Sequence, residues 1–409
     1  MIRHSVRGCI TVIPVVAALL VAPLDPALAH LAEAITARTA WAAWDFTPDV
    51  VLLTGLAVAI YMAGLVRRHG SKVTTHWWRH ALFLAGVAAV FLALESPIDP
   101  IAEHLFFVHQ IQHLLLHMVG PMLLALSWPQ ATLTAGLPGA VKTGVLAPTL
   151  TNVTLRRVFG FLTHPAIVTV LFILSLYFWE IPRFHNFALL NEPVHYLMHV
   201  TMLVAGLLFW WRVFDRRPPR TPIDLDDDFV PWWRPFARRR AGHGLNYGVR
   251  LMMVWIVVLS NILLGAYTTL KMAPLYTAYA ALGRLFGYTA HADEMLGGFV
   301  IWIPSSMMCL IAVLIVIHLW GLYETRMDRL RVARPLSNSD ALLYPRTRQA
   351  VIERAAPKNR AVASGLVVFV IGVFVTAIVT GILGAAAGSG RAAAPQTTLR
   401  PHRGGHAAE

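Results

Sequence analysis

The segment 105–121, LFFVHQIQHLLLHMVGP, places His109, His113 and His117 at intervals of four residues in an otherwise apolar stretch. Residues four apart on an α-helix differ in direction by about 40° and in height by about 6 Å, so they share one face. A polar group in hydrocarbon costs free energy unless a partner satisfies it, and such residues mark functional sites by default. The spacing therefore predicts a membrane-spanning helix with functional histidines.

The composition of the whole chain is that of a polytopic membrane protein. Of the 409 residues, 57% are hydrophobic and 13% are charged, whereas a soluble domain carries about a quarter charged residues. Eight apolar runs, most of them near the ~20 residues that a helix needs to cross the hydrocarbon, predict an all-α transmembrane bundle of about eight helices. They lie at about 48–66, 79–95, 104–127, 162–180, 194–213, 249–270, 295–320 and 361–385.

The two ends of the chain are predicted to differ from the membrane core. Residues 1–29 combine a basic start, a short apolar stretch and the ending Ala27-Leu28-Ala29, which is typical of a signal peptide; an uncleaved first helix is the alternative. The remaining expected divisions are a periplasmic segment at 30–47, a seven-helix core at 48–320, a basic cytoplasmic loop at 321–360, an extra helix at 361–385 and a disordered periplasmic tail at 386–409.

The arginine clusters predict the orientation of the helices. They fall in the loops after the first, third, fifth and seventh predicted spans, as Arg67–Arg68 and Arg216–Arg217 illustrate, and cytoplasmic loops carry such an excess of basic residues. The net charge of +13 thus reflects topology, and it argues against nucleic-acid binding, which needs one exposed basic face. The histidine-rich helix ends are therefore predicted to face the periplasm.

A second histidine pair, His195 and His199, begins the predicted span at 194–213 with the same spacing. In the predicted topology this pair and His109 with His113 lie at similar depth, so four imidazoles can surround one metal ion. The chain has two cysteines and no Cys-x-x-Cys pair. Imidazoles with thioethers nearby and no thiolate suit copper, as Cu(I), better than zinc or iron.

Other polar and sulfur-bearing side chains gather near the same predicted site. Alternative interpretations are a hydrogen bond between helices for an intramembrane histidine, solvation for a carboxylate at a helix end, and packing for methionines. The secondary contributors to ion binding that the sequence predicts are His104, His117, Glu95, Glu180, His291, Met118, Met122, Met198 and Met202.

Two other functions are compatible with paired histidines in a membrane. One is a b-type haem electron carrier, because transmembrane histidines also ligate haem. The other is a transporter of copper or protons, although the inner halves of the predicted helices hold few ionisable residues. An enzyme is disfavoured, since no nucleophile–base pair or nucleotide-binding motif stands out.

Several longer stretches carry a resemblance to a known family. They are WAAWDFTPDVVLLTGLAVAIYMAGL (41–65), ALESPIDPIAEHLFFVHQIQHLLLHMVGPMLLAL (93–126), NEPVHYLMHVTMLVAGLLFWWRV (191–213), APLYTAYA (273–280) and HADEMLGGFVIWIPSSM (291–307). In these stretches the chain resembles the CtaG-type cytochrome c oxidase assembly factors, multi-pass membrane proteins of bacteria. The likeness covers roughly residues 41 to 320.

The resemblance implies a metallochaperone of the bacterial inner membrane that acts in respiratory chain biogenesis. It implies delivery of copper to a haem-copper oxidase, with subunits of that oxidase and a periplasmic copper chaperone as partners. The metal-site residues that it implicates are His109, His113, His195, His199 and Asp293.

Two positions depart from the pattern that the resemblance leads us to expect. The family commonly has Met directly after the first histidine of the helix-three motif, where this chain has Gln110. It also commonly has Trp-His-x-Pro at the end of helix four, where this chain has Trp179-Glu180-Ile181-Pro182. If that histidine is a ligand, either Glu180 replaces it with oxygen or the site is rebuilt.

Overall fold

The computed structural model describes residues 36–69, 76–217, 219 and 244–333, together with isolated helical positions between 349 and 375. The expected signal peptide (1–29) and tail (386–409) lie outside the described residues. Most of the expected loop at 321–360 and helix at 361–385 also lie outside them.

Long apolar helices dominate the described residues, and the predicted all-α polytopic bundle is confirmed. Five helices are long and apolar enough to cross a membrane, and two further spans are bent pairs, with angles of 76° after α3 and 66° before α4. The helices are α1 (Pro48–Arg68), α2 (Trp77–Glu95), α3 (Phe106–Ser127, followed by Gln130–Gly136), α4 (Pro165–Glu180, preceded by Val153–Leu162), α5 (Glu192–Val213), α6 (Tyr247–Leu270) and α7 (Ala290–Ala333).

The last of these helices is longer than the apolar run that predicted it. The run at 295–320 marks the part suited to hydrocarbon, whereas α7 continues to Ala333. Residues 322–333 contain strong helix formers and no glycine, and the next proline is Pro335, so nothing in this segment ends the helix. Hydropathy thus located the span but not the end of the helix.

Hydrogen bonds between helix ends show which ends lie together. The Thr47 N–H donates to Glu95 at 2.8 Å, which joins the start of α1 to the end of α2. The Phe106 N–H donates to Asp293 at 3.1 Å, which joins the starts of α3 and α7. The helix ends that carry the histidines and carboxylates therefore meet at one end of the bundle.

The described arginine pairs Arg67–Arg68 and Arg216–Arg217 lie at the opposite end. Arg67, at the end of α1, donates to the Gly136 carbonyl at 2.8 Å, and Trp128, just after α3, donates to the Phe214 carbonyl at 3.0 Å. Histidine-rich ends and arginine-bearing ends thus alternate between successive helices in the way that the sequence predicted.

The central helix of the bundle is α3, which packs against α2, α5 and α7. Its middle turn, Leu115–Val119, is a π-helix, and it comes immediately before Gly120 and Pro121. Proline has no N–H to give the carbonyl four residues earlier, so a local rearrangement at this point is expected. This π-helical turn lies one turn below the His109–His113 pair.

Candidate metal centre

Three histidines from two helices converge in the interior of the bundle. His109 and His113 on α3 and His199 on α5 each present a ring nitrogen, and the three nitrogens lie within 4.8 Å of one another. All three side chains are buried. Movements of under about 1 Å would bring these nitrogens to the ordinary metal–nitrogen distance of about 2.0 Å, so the triad is able to hold a metal ion.

A close contact between α3 and α5 brings these histidines together. A Cβ on Gly206 of α5 would lie 2.4 Å from the His117 carbonyl of α3 and 2.9 Å from the Pro121 ring. Only glycine permits this approach. Since His199 lies about two turns before Gly206 and His113 about one turn before His117, the crossing places both histidine pairs side by side.

The ring nitrogens of the cluster have few partners of their own. His109 Nε2, both nitrogens of His113, and Nε2 of His195 and His199 have no hydrogen-bond partner among the described residues. Buried polar atoms in native proteins are nearly always satisfied, and a group of unsatisfied ones calls for an explanation such as an ion. Five such atoms on four neighbouring rings form the chemical signature of a ligand set.

His195 completes the cluster on its outer side. Its ring centroid lies 4.4 Å from that of His199 and 5.2 Å from that of His109. It is the most accessible of the four rings, with 8% of its surface exposed, compared with 0% for His109. His195 is therefore placed to act as a fourth ligand or as the first contact of an arriving ion.

A buried carboxylate borders the cluster. Glu180, at the end of α4, accepts hydrogen bonds from Gln110 at 2.7 Å and from the Tyr276 phenol at 2.9 Å. One of its oxygens lies 3.9 Å from His113 Nδ1. The two positions that depart from the expected family pattern, Gln110 and Glu180, are thus bonded to each other, and they place a carboxyl group beside the imidazoles.

Two residues that sequence reasoning did not include, His185 and Tyr279, form a second layer behind His109. The Tyr279 hydroxyl lies 3.0 Å from His109 Nδ1 and 2.8 Å from His185 Nε2. Pro182 keeps Ile181 extended, which ends α4 and starts a separate short helix, Pro182–Leu189, that carries His185. That proline was the available signal in the sequence; nothing local predicted the contact with Tyr279.

The phenols of Tyr276 and Tyr279 lie in the connection between α6 and α7. Burial, followed by the nearby Glu180 carboxylate, raises the pKa of both groups well above the ordinary value of 10.0. Both phenols therefore keep their protons and remain available as hydrogen-bond donors.

Asp293 has partners other than the cluster. Its oxygens accept hydrogen bonds from the N–H groups of Phe106 and Phe107, each at 3.1 Å, and from Arg284 at 3.2 Å. The first N–H groups of a helix have no partner within the helix, and a carboxylate there is stabilising. Asp293 thus caps α3 and fixes the height of His109, whereas the group of converging ring nitrogens consists of histidines.

The secondary positions are distributed around the cluster rather than within it. Glu95 accepts from Thr47 at the start of α1, and His104 bonds the Gly283 carbonyl at 2.7 Å. His117 stacks on Phe172 with centroids 3.8 Å apart; its Nε2 lies 3.2 Å from the Ser175 hydroxyl. His291 is exposed at the start of α7.

The four methionines predicted nearby are all buried in apolar packing. Met118 and Met122 belong to the largest apolar core, which fills the bundle on the inward side of the cluster. Met198 and Met202 pack with Trp179 beneath the end of α4. These apolar surroundings favour a packing role for the four methionines, although they are close to the histidines in sequence.

Fold and site together define a class: a polytopic helical membrane protein with a buried histidine site able to hold a metal ion. The sequence matches the family described as cytochrome c oxidase caa3 assembly factor (Caa3_CtaG) over residues 59–225 and 229–321, which is more than half of the chain. The chain belongs to this family, and the predicted resemblance is confirmed.

Individual relatives add no functional description. Uncharacterized proteins of Mycobacterium bovis and Mycobacterium tuberculosis are each 27% identical to the chain over 305 residues, which are 73% of the chain and 42% of the relative. An uncharacterized protein of Mycobacterium leprae is 24% identical over 287 residues, 69% of the chain and 40% of the relative. The chain thus spans less than half the length of these curated relatives. No solved structure shows a significant match.

Proposed function

We propose that this protein binds Cu(I) at the histidine cluster and delivers it to a haem-copper cytochrome c oxidase during assembly, without itself being an enzyme. The observation that carries the proposal is the convergence of three buried imidazoles, those of His109, His113 and His199, with His195 beside them and with unpartnered nitrogens on all four rings, in a chain of the oxidase assembly family. Copper is the cargo, and the oxidase is the receiver.

The donor set favours copper over other metals. Neutral imidazoles suit copper, while magnesium and calcium require oxygen ligands and structural zinc sites commonly use thiolates. The three nitrogens of His109, His113 and His199 suit the low coordination number of Cu(I), which keeps the ion exchangeable. Glu180, 3.9 Å from His113, supplies the negative charge that a buried monovalent cation needs.

Access is from the histidine end of the bundle. His195 is the most accessible ring of the four, so an ion can pass from it to the triad by exchange of one imidazole for another. We place this end at the periplasmic face of the bacterial inner membrane, because the arginine clusters lie at the opposite end. A periplasmic copper chaperone is the proposed donor.

The transporter and haem alternatives fit less well. On the inward side of the cluster, α3 to α7 pack through an apolar core, which disfavours the passage of copper ions or protons. The cavity next to His113 and His117 has a volume of about 20 Å³, whereas a pocket for an organic ligand commonly needs at least several hundred Å³.

The proposal is tested by replacing one triad ligand. We expect His113→Ala to lower the copper bound to the purified, Cu(I)-loaded protein at least several-fold and to lower the copper content of the oxidase in cells, while the abundance of the variant stays near normal. Elemental analysis and competition with a chromophoric Cu(I) chelator measure the binding.

His117→Ala is the matched control, because His117 is a buried histidine of the same helix that contacts Phe172 and Ser175 instead of the triad. Its copper binding should equal that of the natural protein. Unchanged copper binding in His113→Ala would contradict the proposal, and a Soret band in the purified protein would support the haem alternative.

A further inference from the structure

A buried chain of hydrogen bonds extends from the cluster into the loop after α4. Going outward from His109, it passes through the Tyr279 hydroxyl at 3.0 Å, then His185 Nε2 at 2.8 Å, and ends where His185 Nδ1 meets the Trp179 carbonyl at 3.1 Å. The His109, His185 and Tyr279 side chains are all completely buried.

This series of hydrogen bonds has only one consistent arrangement of protons when the imidazoles of His109 and His185 are both neutral. The Trp179 carbonyl can only accept, so His185 Nδ1 carries the proton and its Nε2 accepts. The Tyr279 O–H must then donate to His185 Nε2, which leaves the phenol oxygen to accept from His109 Nδ1–H.

We infer that Tyr279 and His185 are positioning residues that hold His109 in the Nδ1–H tautomer, with the lone pair of its Nε2 directed at the ion. The Nε2 atom is the nitrogen of His109 that has no partner among the described residues. A ligating imidazole commonly donates its other N–H to a second group, which fixes the tautomer and the ring orientation. Here the second group is a phenol, and the carbonyl of Trp179 at the end of α4 is the fixed point.

The direction of the Nε2 lone pair toward an ion rests on the proposed copper site, whereas the tautomer of His109 follows from the hydrogen bonds alone. A measurement on metal-free protein therefore tests it separately. Long-range ¹H–¹⁵N correlation spectra of protein labelled at histidine nitrogens distinguish the two tautomers, and a His109→Gln sample identifies the His109 signals.

We expect the natural protein to show His109 as the Nδ1–H tautomer. Tyr279→Phe removes the acceptor, so the population should move toward the Nε2–H tautomer and Cu(I) affinity should fall by about 10- to 100-fold. His185→Leu should have the same effect. His185→Gln should restore most of the natural behaviour, because its amide can both accept from Tyr279 and donate to Trp179.

Tyr276→Phe is the matched control, since that phenol bonds Glu180 instead of His109, and it should leave the His109 tautomer unchanged. An Nε2–H tautomer in the natural protein, or an unchanged tautomer in folded Tyr279→Phe, would overturn the inference. Absence of copper binding together with the expected tautomer would instead refute the proposed function and leave this inference standing.

Discussion

At the scale of single residues, the pair Gln110 and Glu180 is where this chain differs from the pattern common in its family. The two side chains are hydrogen-bonded at 2.7 Å, and Tyr276 holds the second carboxylate oxygen at 2.9 Å. A carboxyl group held by two donors beside the imidazoles is placed to offset the charge of a cation. In the proposed function, Gln110 and Glu180 together contribute to the charge balance of the bound ion.

Glu180→Gln tests this charge. The amide keeps an acceptor for its neighbours and removes the negative charge. Two unit charges about 5 Å apart interact by roughly 3 kcal/mol at an effective dielectric constant of 20, so Cu(I) affinity should fall at least about tenfold. Chelator competition measures the affinity, and Glu95→Gln, at a carboxylate bonded to Thr47, should change it little. Equal affinities for both variants would remove Glu180 from the charge balance.

The sequence predicted individual residues where the pattern is local. The spacing of His109 and His113, and of His195 and His199, marks both pairs as facing one direction. Tyr279 was not predicted, because its contact with His109 joins positions 170 residues apart. The sequence placed Asp293 near the site but did not indicate its role. Only the hydrogen bonds from the start of α3 distinguish a helix cap from the expected ligand.

At the scale of elements, the crossing of α3 and α5 sets the distance between the histidine pairs. The Gly206 Cα lies against the His117 carbonyl, at the π-helical turn of α3. Hydropathy predicted both helices, and the missing N–H of Pro121 accounts for the distortion. The sequence could not predict which helix packs against the distorted turn, because a glycine in an apolar helix does not indicate which backbone it approaches.

Gly206→Ala is expected to separate the two helices. The new Cβ would lie 2.4 Å from a backbone oxygen, and overpacking of this kind costs about 1–3 kcal/mol. The thermal unfolding midpoint of the purified protein should fall by several degrees, and copper affinity should fall with it.

Gly55→Ala provides the comparison for this change. A Cβ at Gly55 of α1 would have no atom within 4 Å, so the substitution should be neutral or stabilising by up to about 1 kcal/mol. If Gly206→Ala behaved like Gly55→Ala in both measurements, the close crossing would not be what positions the cluster.

The short connection between α2 and α3 gives the molecule a pH-dependent contribution to stability. Burial, followed by the neighbouring Glu103, raises the pKa of Asp99 from 3.8 to about 7. The folded protein therefore binds a proton at Asp99 that the unfolded chain has lost between about pH 4 and 7. This contribution is largest at low pH and is lost as the pH rises through about 7.

Asp99→Asn removes the titration while keeping an oxygen for Gln112, which donates to Asp99. We expect the unfolding midpoint of the natural protein to fall relative to that of the variant as the pH is raised from 5 to 8. Thermal unfolding of both proteins in the same detergent provides the comparison. Parallel curves across this range would contradict a raised pKa at Asp99.

At the scale of the whole molecule, the alternation of helix ends predicts which loops face the periplasm. Single cysteines at two exposed positions test it: Ala281, between α6 and α7, and Thr143, between α3 and α4. In intact spheroplasts a membrane-impermeant maleimide should label Ala281→Cys strongly and Thr143→Cys only after the membrane is broken. Cys309 is completely buried and gives little background. The reverse pattern would place the histidine cluster at the cytoplasmic face.

Seven of the eight predicted apolar runs coincide with the candidate spans among the described residues, which are five helices and two bent pairs, because hydrophobic length is set by bilayer thickness. The same criterion was silent about the bends of 76° and 66°, which arise where short helices meet at Trp128-Pro129 and His164-Pro165. It also ended α7 too early, since a helix continues as long as its residues favour it, with or without lipid around them.

The walls around the cluster come from widely separated parts of the chain. His109 and His113 leave the ribosome early, whereas the phenols of Tyr276 and Tyr279 and the capping carboxylate of Asp293 emerge more than 160 residues later. A partly synthesised chain would therefore carry the imidazoles without the groups that orient and enclose them. In the proposed function, acquisition of copper is therefore a property of the finished protein, in which these groups enclose the imidazoles.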